Sequence, residues 1–150
     1  MLGAFFANHE ALARVLTGTS GDDTLVGTDG SDRLTGLRGA DHLNGSRGYD
    51  RLNGSRGADH LWGGRGNDHL WGSRGDDTIK GGRGNDTIIP GEADDVVHAG
   101  PGDDRIYARD KGDVDHVSCG PGFDVVETIH RADETLQNCE RARGRGQGKI

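Results

Sequence analysis

The chain has 150 residues, the length of one domain, with 28 glycines, 31% hydrophobic residues and 5% aromatic residues. So small an apolar fraction excludes an ordinary globular core, because too few large side chains are available to be buried. The formal net charge of −7 argues against a protein that binds duplex nucleic acid and favours a cationic partner such as a metal ion.

The first predicted element is a short N-terminal segment, residues 1–17. Its longest apolar stretch, Met1 to Ala7, is too short to span a membrane. It lacks the charged region and continuous apolar region of a signal peptide, although Ala11-Leu12-Ala13 resembles a cleavage site. We expect residues 1–17 to be either an N-terminal cap or the remnant of a signal segment that starts further upstream.

Residues 18–127 form an array of twelve tandem repeats, eleven of nine residues and one, Ala108 to Ser118, of eleven. The eighth position is always a branched aliphatic residue, from Leu25 to Val126. The fourth position is glycine through Gly84. The sixth position is always aspartate: Asp23, Asp32, Asp41, Asp50, Asp59, Asp68, Asp77, Asp86, Asp95, Asp104, Asp115 and Asp124.

A nine-residue period with this much glycine excludes a helix, and three prolines are too few for collagen. We expect glycines at the first and fourth positions to adopt positive φ in a tight turn, followed by a three-residue strand at positions seven to nine. The eighth side chain points inward. Two repeats then complete one turn of an all-β parallel solenoid, a β-roll, with odd and even repeats on opposite faces.

The aspartate column predicts a metal site. Carboxylates stacked about 4.8 Å apart repel one another unless they are neutralised, and carboxylates with backbone carbonyls form the all-oxygen site that Ca²⁺ prefers. Magnesium demands stricter geometry, and zinc would need cysteine or histidine ligands. Twelve inward aliphatic side chains do not offset the cost of ordering about 110 residues, so we expect folding to depend on binding several Ca²⁺ ions.

The blocks GGRGNDHLW, beginning at Gly63, and GGRGNDTI, beginning at Gly81, resemble the glycine-rich nonapeptide of RTX, or hemolysin-type, calcium-binding proteins. The resemblance covers residues 18–127 and implies a parallel β-roll exported from bacteria. It implies calcium sites between repeats two apart, pairing for example Asp59 with Asp77 and Asp68 with Asp86. It also implies carbonyl ligands from the best-matched loops: Gly63, Gly64, Gly66, Gly72, Gly75, Gly81, Gly82 and Gly84.

The chain departs from that motif at both ends of the array. The second glycine is replaced in several repeats, by Thr19, Thr28, Leu37, Ser46, Ser55 and Ser73, which we expect to strain those loops or loosen their sites. From Pro90 onward the first glycine is lost, and Ala93, Arg109 and Asp110 break the loop pattern. The strongest sites are therefore predicted between Gly54 and Asp86.

Three further features have competing interpretations. The third-position arginines, from Arg38 to Arg83, have two interpretations. They belong to an RG-rich nucleic-acid segment, or they flank the aspartate column and reduce its negative charge, which is the favoured view. His42 and His60 should stack on one solvent face, where metal capture is a lesser alternative. Trp62 and Trp71 fall on opposite faces, where they mark a surface for a sugar or partner, or simply cover the sheet.

Residues 128–150 are predicted to form a C-terminal cap and basic tail. We expect a disulfide between Cys119 and Cys139 to tie this segment to the last strand; two free thiols in a reducing compartment are the alternative.

No catalytic motif is found, and every regular aspartate is explained by the period, so we expect no enzyme activity. The predicted function is calcium binding by a secreted, extracellular module with a structural, adhesive or export-associated role. No nucleic-acid partner and no membrane span are expected. The alternatives are an RG-rich RNA-associated segment and an ice- or surface-binding solenoid, which would need a regular Thr or Asn ladder on one flat face.

Overall fold

The computed structural model describes residues 12–108, 114–128, 135–139 and 141–144, and these residues form fifteen strands and no helix. None of them therefore belongs to a helix able to cross a membrane. The strands are β1 (Val15–Thr17), β2 (Thr24–Val26), β3 (Arg33–Arg38), β4 (His42–Arg47), β5 (Arg51–Arg56), β6 (His60–Arg65), β7 (His69–Arg74), β8 (Thr78–Arg83), β9 (Thr87–Glu92), β10 (Val96–His98), β11 (Arg105–Ala108), β12 (His116–Ser118), β13 (Val125–Thr128), β14 (Thr135–Gln137) and β15 (Arg141–Gly144).

The strands alternate between two parallel sheets. The odd-strand sheet runs from β1 to β15 and the even-strand sheet from β2 to β14, each in sequence order. Every strand pairs with the strand two positions away, so that Leu43 lies opposite Leu61 and Leu61 opposite Ile79. The predicted parallel β-roll with two repeats per turn is confirmed.

The central strands are longer than the three residues expected. Strands β3 to β9 each contain six residues, from position seven of one repeat to position three of the next. Their second-position residues keep a positive φ inside the strand, for example Ser46 at 81° and Gly64 at 110°. Pairing with the neighbouring coils therefore continues through the start of each loop, which brings the loops into register as well as the strands.

The core consists of the eighth-position side chains, in one column from each sheet, with Ala99 and Cys119 added near its C-terminal end. From Leu34 to Val126 these residues are at most 2% exposed, and Leu16 and Leu136 extend the column at its two ends. Alternation with exposed or half-buried seventh and ninth positions follows from the two-residue period of a strand. The interior is thus one aliphatic side chain thick along each sheet.

The coil continues beyond the predicted array at both ends. Strand β1 precedes Gly18 and pairs with β3, while β14 and β15 follow Glu127 and supply the last strand of each sheet. The boundaries at residues 17 and 127 stay predictions. Most of the predicted N-terminal segment (residues 1–11), the departures at Arg109 and Asp110, and residues 145–150 of the basic tail lie outside the described residues.

The predicted disulfide is confirmed. Cys119 and Cys139 are bonded across a Cα–Cα distance of 5.1 Å, and Cys119 is fully buried. The backbone N–H of Cys119 also donates to the carbonyl of Gln137. Because β12 and β14 are adjacent strands, the disulfide links the last two coils of the even-strand sheet.

Candidate metal centre

The sixth-position aspartates form a buried ladder along each edge of the roll. All eleven from Asp32 to Asp124 are at most 2% exposed. In each rung the backbone N–H of one aspartate donates to Oδ1 of the aspartate one coil later, at 2.8 Å from Asp59 to Asp77 and from Asp68 to Asp86. The two-residue insertion does not break the ladder, because the N–H of Asp95 still reaches Oδ1 of Asp115 at 3.1 Å.

The second carboxylate oxygen, Oδ2, has no hydrogen-bond donor in most of these residues. Among the residues that the structure describes, Oδ2 is buried without a hydrogen-bond donor in Asp41, Asp50, Asp59, Asp68, Asp77, Asp86 and Asp104. Burying an ionised oxygen without a partner lowers the stability of the fold by on the order of several kcal/mol. Each of these oxygens therefore needs a bound cation or a proton to compensate for the missing hydrogen-bond donor.

For all of these oxygens except that of Asp104, the first-position residue is a glycine that approaches the oxygen too closely to leave room for a Cβ. We call this contact between neighbouring coils an open cradle where the first residue is glycine. A Cβ added to Gly63 would lie 2.6 Å from Oδ2 of Asp68 and 2.5 Å from the carbonyl oxygen of Gly81. Both oxygens therefore face one small cradle between neighbouring coils. The close approach to the aspartate Oδ2 recurs at the first-position glycines of the six central repeats, and all of them except Gly54 also closely approach a carbonyl oxygen: Gly36, Gly45, Gly54, Gly63, Gly72 and Gly81.

The glycines do not all act as expected. Positive φ occurs at the second and fourth positions, as at Gly64 (110°) and Gly66 (131°), whereas Gly63 at the first position is outside that region. The prediction that first-position glycine supplies positive φ is wrong; this residue is glycine because a side chain would fill the cradle. The expected loop strain is confirmed at the second position, where Leu37 and Ser73 keep φ near 87° and 92°.

The first two loops satisfy their carboxylates locally. Thr19 donates its backbone N–H and Oγ1–H to Oδ2 of Asp23, at 2.6 and 3.0 Å. Thr28 does the same for Asp32, at 2.5 and 3.0 Å. Neither threonine has positive φ, since a β-branched side chain disfavours that conformation. The Oδ2 atoms of these two carboxylates therefore already have hydrogen-bond donors.

The C-terminal repeats fill the cradle with a side chain. Pro90, Ala99, Ala108 and Cys119 stand at the first position, where the central repeats have glycine. Ala99, Ala108 and Cys119 are nearly or fully buried, so their Cβ atoms lie inside the roll. The array therefore has two locally satisfied loops, six open cradles and four filled ones.

Burial dominates the electrostatics of the open cradles. Desolvation raises the pKa of Asp50, Asp77 and Asp86 to about 7 and that of Asp68 to about 6, from an ordinary 3.8. The backbone N–H on Oδ1 opposes this rise, and neighbouring aspartates, such as Asp68 beside Asp50, add to it. Near neutral pH these carboxylates are therefore partly protonated without a cation, and a bound cation would displace the proton.

The donor set is one carboxylate per loop plus backbone oxygens. No group of three acidic, histidine or cysteine side chains converges on a point within the described chain. Oxygen-only donors of this kind suit Ca²⁺ and do not suit Zn²⁺. The residues present therefore fit calcium, and the carbonyl ligands from the loop glycines between Gly63 and Gly84 stay a prediction.

A second ladder, not anticipated from the sequence, stabilises the loops outside the cradles. Fifth-position side chains accept the backbone N–H of the fifth residue one coil later, as from Asn85 to Asn67 at 2.8 Å and from Asp103 to Asn85 at 2.9 Å. The frequent Asp or Asn at position five was the available signal. These oxygens align neighbouring loops.

The remaining predicted columns lie away from the cradles. In the described residues, third-position arginine forms ion pairs with Asp29 (from Arg47, 3.3 Å) and Glu92 (from Arg74, 3.2 Å), neither of which belongs to the buried column. Direct pairing of arginine with the aspartate ladder is therefore not observed. His42 and His60 stack as expected, with ring centroids 4.7 Å apart.

The outward columns do not form a uniform ladder. In the even-strand sheet Thr24, His42, His60, Thr78 and Val96 occupy one register column. An ice-binding face built from repeated Thr or Asn is therefore absent from this column.

Comparison with protein families identifies one match. The model described as RTX calcium-binding nonapeptide repeat (4 copies) matches residues 17–52, 53–88 and 89–110, more than half of the chain. Comparison with the curated proteins gives no significant match.

Proposed function

Since the chain belongs to the family of RTX calcium-binding nonapeptide repeats, we propose that it binds Ca²⁺ between successive loops on each edge of the roll. One observation carries the proposal: six consecutive repeats each bury a carboxylate oxygen without a donor beside an open cradle. Five of these six cradles also lie against a carbonyl oxygen of the next coil, as with Gly81 beside Asp68.

The six open cradles are the principal proposed sites. Their carboxylates are Asp41, Asp50, Asp59, Asp68, Asp77 and Asp86. The carbonyl oxygens of Gly63, Gly72 and Gly81 are proposed as ligands, and those of Gly63 and Gly81 lie in neighbouring cradles. Further carbonyl ligands are proposed from the same loops: Gly64, Gly66, Gly75, Gly82 and Gly84. Asp23 and Asp32 are weaker ligands because threonine donors occupy them, and Asp95, Asp104 and Asp124 because their cradles are filled.

Folding is proposed to depend on calcium. In the ionised state the ladder places many negative charges in a buried column, and the aliphatic core is only one side chain thick. Bound Ca²⁺ supplies the positive charge that this column lacks. We therefore expect a largely unfolded chain without calcium and a folded roll with it.

The proposed setting is outside a bacterial cell. A buried disulfide persists in oxidising compartments, and calcium there is abundant enough to fill weak sites. In this setting the roll has a structural, adhesive or export-associated role, and it carries no catalysis.

The test combines a titration with a matched pair of variants. Far-ultraviolet circular dichroism of the full chain should gain β-signal cooperatively with Ca²⁺ and not with Mg²⁺. Asp68→Asn should lose one bound calcium in a calorimetric titration, whereas Asp32→Asn, whose carboxylate already accepts Thr28 donors, should retain the parent stoichiometry. A chain that stays fully folded in excess chelator and takes up no calcium would refute the proposal.

A further inference from the structure

A cationic groove lies on the outer surface of the even-strand sheet, away from the aspartate ladder. It encloses about 690 Å³ and crosses β4, β6 and β8 near their C-terminal ends. Four cationic side chains line it, Arg47, Arg65, Arg83 and Lys80, together with Trp62, His98 and one acidic residue, Asp29.

The three arginines form a regular ladder along the roll axis. Arg47 lies opposite Arg65, and Arg65 opposite Arg83, in register on neighbouring strands. Their backbones are therefore about 4.8 Å apart. Asp29 pairs with Arg47 at one end, at 3.3 Å, but within the described chain Arg65, Arg83 and Lys80 make no ion pair.

Unpaired like charges at this spacing repel one another, so the ladder is an electrostatic cost to the isolated roll. A linear polyanion with one carboxylate per unit would remove that cost, since each guanidinium can pair with a carboxylate through two parallel hydrogen bonds. An equivalent arginine column, Arg38, Arg56 and Arg74, lies on the odd-strand sheet, where Arg74 pairs with Glu92. In the groove, by contrast, the arginine column is joined by Lys80 and by the exposed Trp62.

Trp62 adds an apolar surface beside the cations. It is 53% exposed, and it lies in register between Asn44 and Lys80 on the neighbouring strands. A flat, exposed indole can stack on the apolar face of a sugar ring and has an N–H for a hydroxyl group. Single-stranded nucleic acid, by contrast, is bound by several successive aromatic side chains, and the groove lining contains one such residue.

We propose that this groove binds a linear acidic polysaccharide, with Arg65 and Arg83 pairing to successive sugar carboxylates and Trp62 stacking on a ring. The groove requires the folded roll but uses none of the calcium-binding aspartates. Failure of sugar binding is therefore distinguishable from failure of calcium binding, which circular dichroism and calorimetry report separately.

The experiment uses the full chain in saturating calcium, with tetragalacturonate as the probe and maltotetraose as the neutral control. The paired change R65Q/R83Q should weaken tetragalacturonate binding at least about tenfold. The matched change R38Q/R56Q removes the same charge from the same repeat position on the odd-strand sheet and should weaken binding less than about twofold.

The variant W62A provides a second measurement, because it leaves every charge in place and should weaken binding several-fold. In a W71F background Trp62 is the one remaining tryptophan, so its fluorescence should change on binding. The proposal is overturned if the parent does not bind tetragalacturonate, if both arginine pairs have equal effects, if maltotetraose binds equally well, or if a single-stranded oligonucleotide binds more tightly.

Discussion

Gly63→Ala places a methyl group in one of the open cradles. The new Cβ would lie 2.6 Å from Oδ2 of Asp68 and 2.5 Å from the carbonyl oxygen of Gly81, well inside van der Waals contact. Asp68 cannot turn away freely, because its Oδ1 accepts the backbone N–H of Asp50 at 2.8 Å. Overpacking of this kind costs about 1–3 kcal/mol.

The fold itself should survive, because Ala99 has a methyl group at the equivalent position and is fully buried there. We therefore expect the Gly63→Ala chain to form the roll with calcium, but with one fewer bound ion and a higher calcium midpoint for folding. Calorimetric stoichiometry and the calcium dependence of the β-signal measure the two effects.

The matched control is Gly21→Ala. At Gly21 an added Cβ would meet only Oγ1 of Thr19, at 4.0 Å, and the backbone has no positive φ, so stability should change by no more than about 0.5 kcal/mol. If Gly63→Ala binds as many calcium ions as the parent with an unchanged midpoint, the cradle is not the metal site and the assignment of the six central loops is wrong.

Three other predictions follow from the ladder, the loops and the disulfide. Burial raises the pKa of Asp50 and Asp77 to about 7 in the folded, calcium-free state, so that state binds more protons than the unfolded chain. Without calcium, the β-signal in circular dichroism should therefore be larger near pH 4 than near pH 7, and calcium affinity should fall as the pH drops below about 7. A calcium-free roll that gains stability as pH rises would contradict this sign. Ser46→Gly should stabilise the calcium-loaded roll by about 1 kcal/mol in denaturant unfolding, since Ser46 has φ of 81°; a loss of stability would exclude strain there. Reduction of Cys119–Cys139, which closes a 20-residue separation, should cost about 3 kcal/mol, and an unchanged unfolding midpoint would show that the last coil needs no covalent link.

The period of the sequence was sufficient to predict the architecture. A nine-residue repeat with one aliphatic column determines which side chains point inward, and the alternation of repeats determines which strands pair. Leu43 opposite Leu61 follows from counting eighteen residues. The disulfide was predictable because its two cysteines fall near the end of the array, 20 residues apart.

The detailed chemistry of the loops was not predictable from the period. Glycine at positions one, two and four looks alike in sequence, but at position one it leaves space for oxygens, whereas at positions two and four it permits positive φ. The hydrogen bonds from Thr28 to Asp32 depend on a backbone conformation that the motif does not specify. The loss of first-position glycine from Pro90 onward was visible in the sequence, but the close approach of Oδ2 to that position was not.

The assignment of alternate repeats to opposite sheets has a consequence for changes in chain length. Excising one nonapeptide would transpose every later side chain to the other side of the molecule, moving Trp71 onto the surface that now displays Trp62. Excising two repeats would shorten the roll by one coil and leave every later side chain on its present sheet. Insertions or deletions in such a chain therefore preserve its two surfaces only when they add or remove whole coils of two repeats.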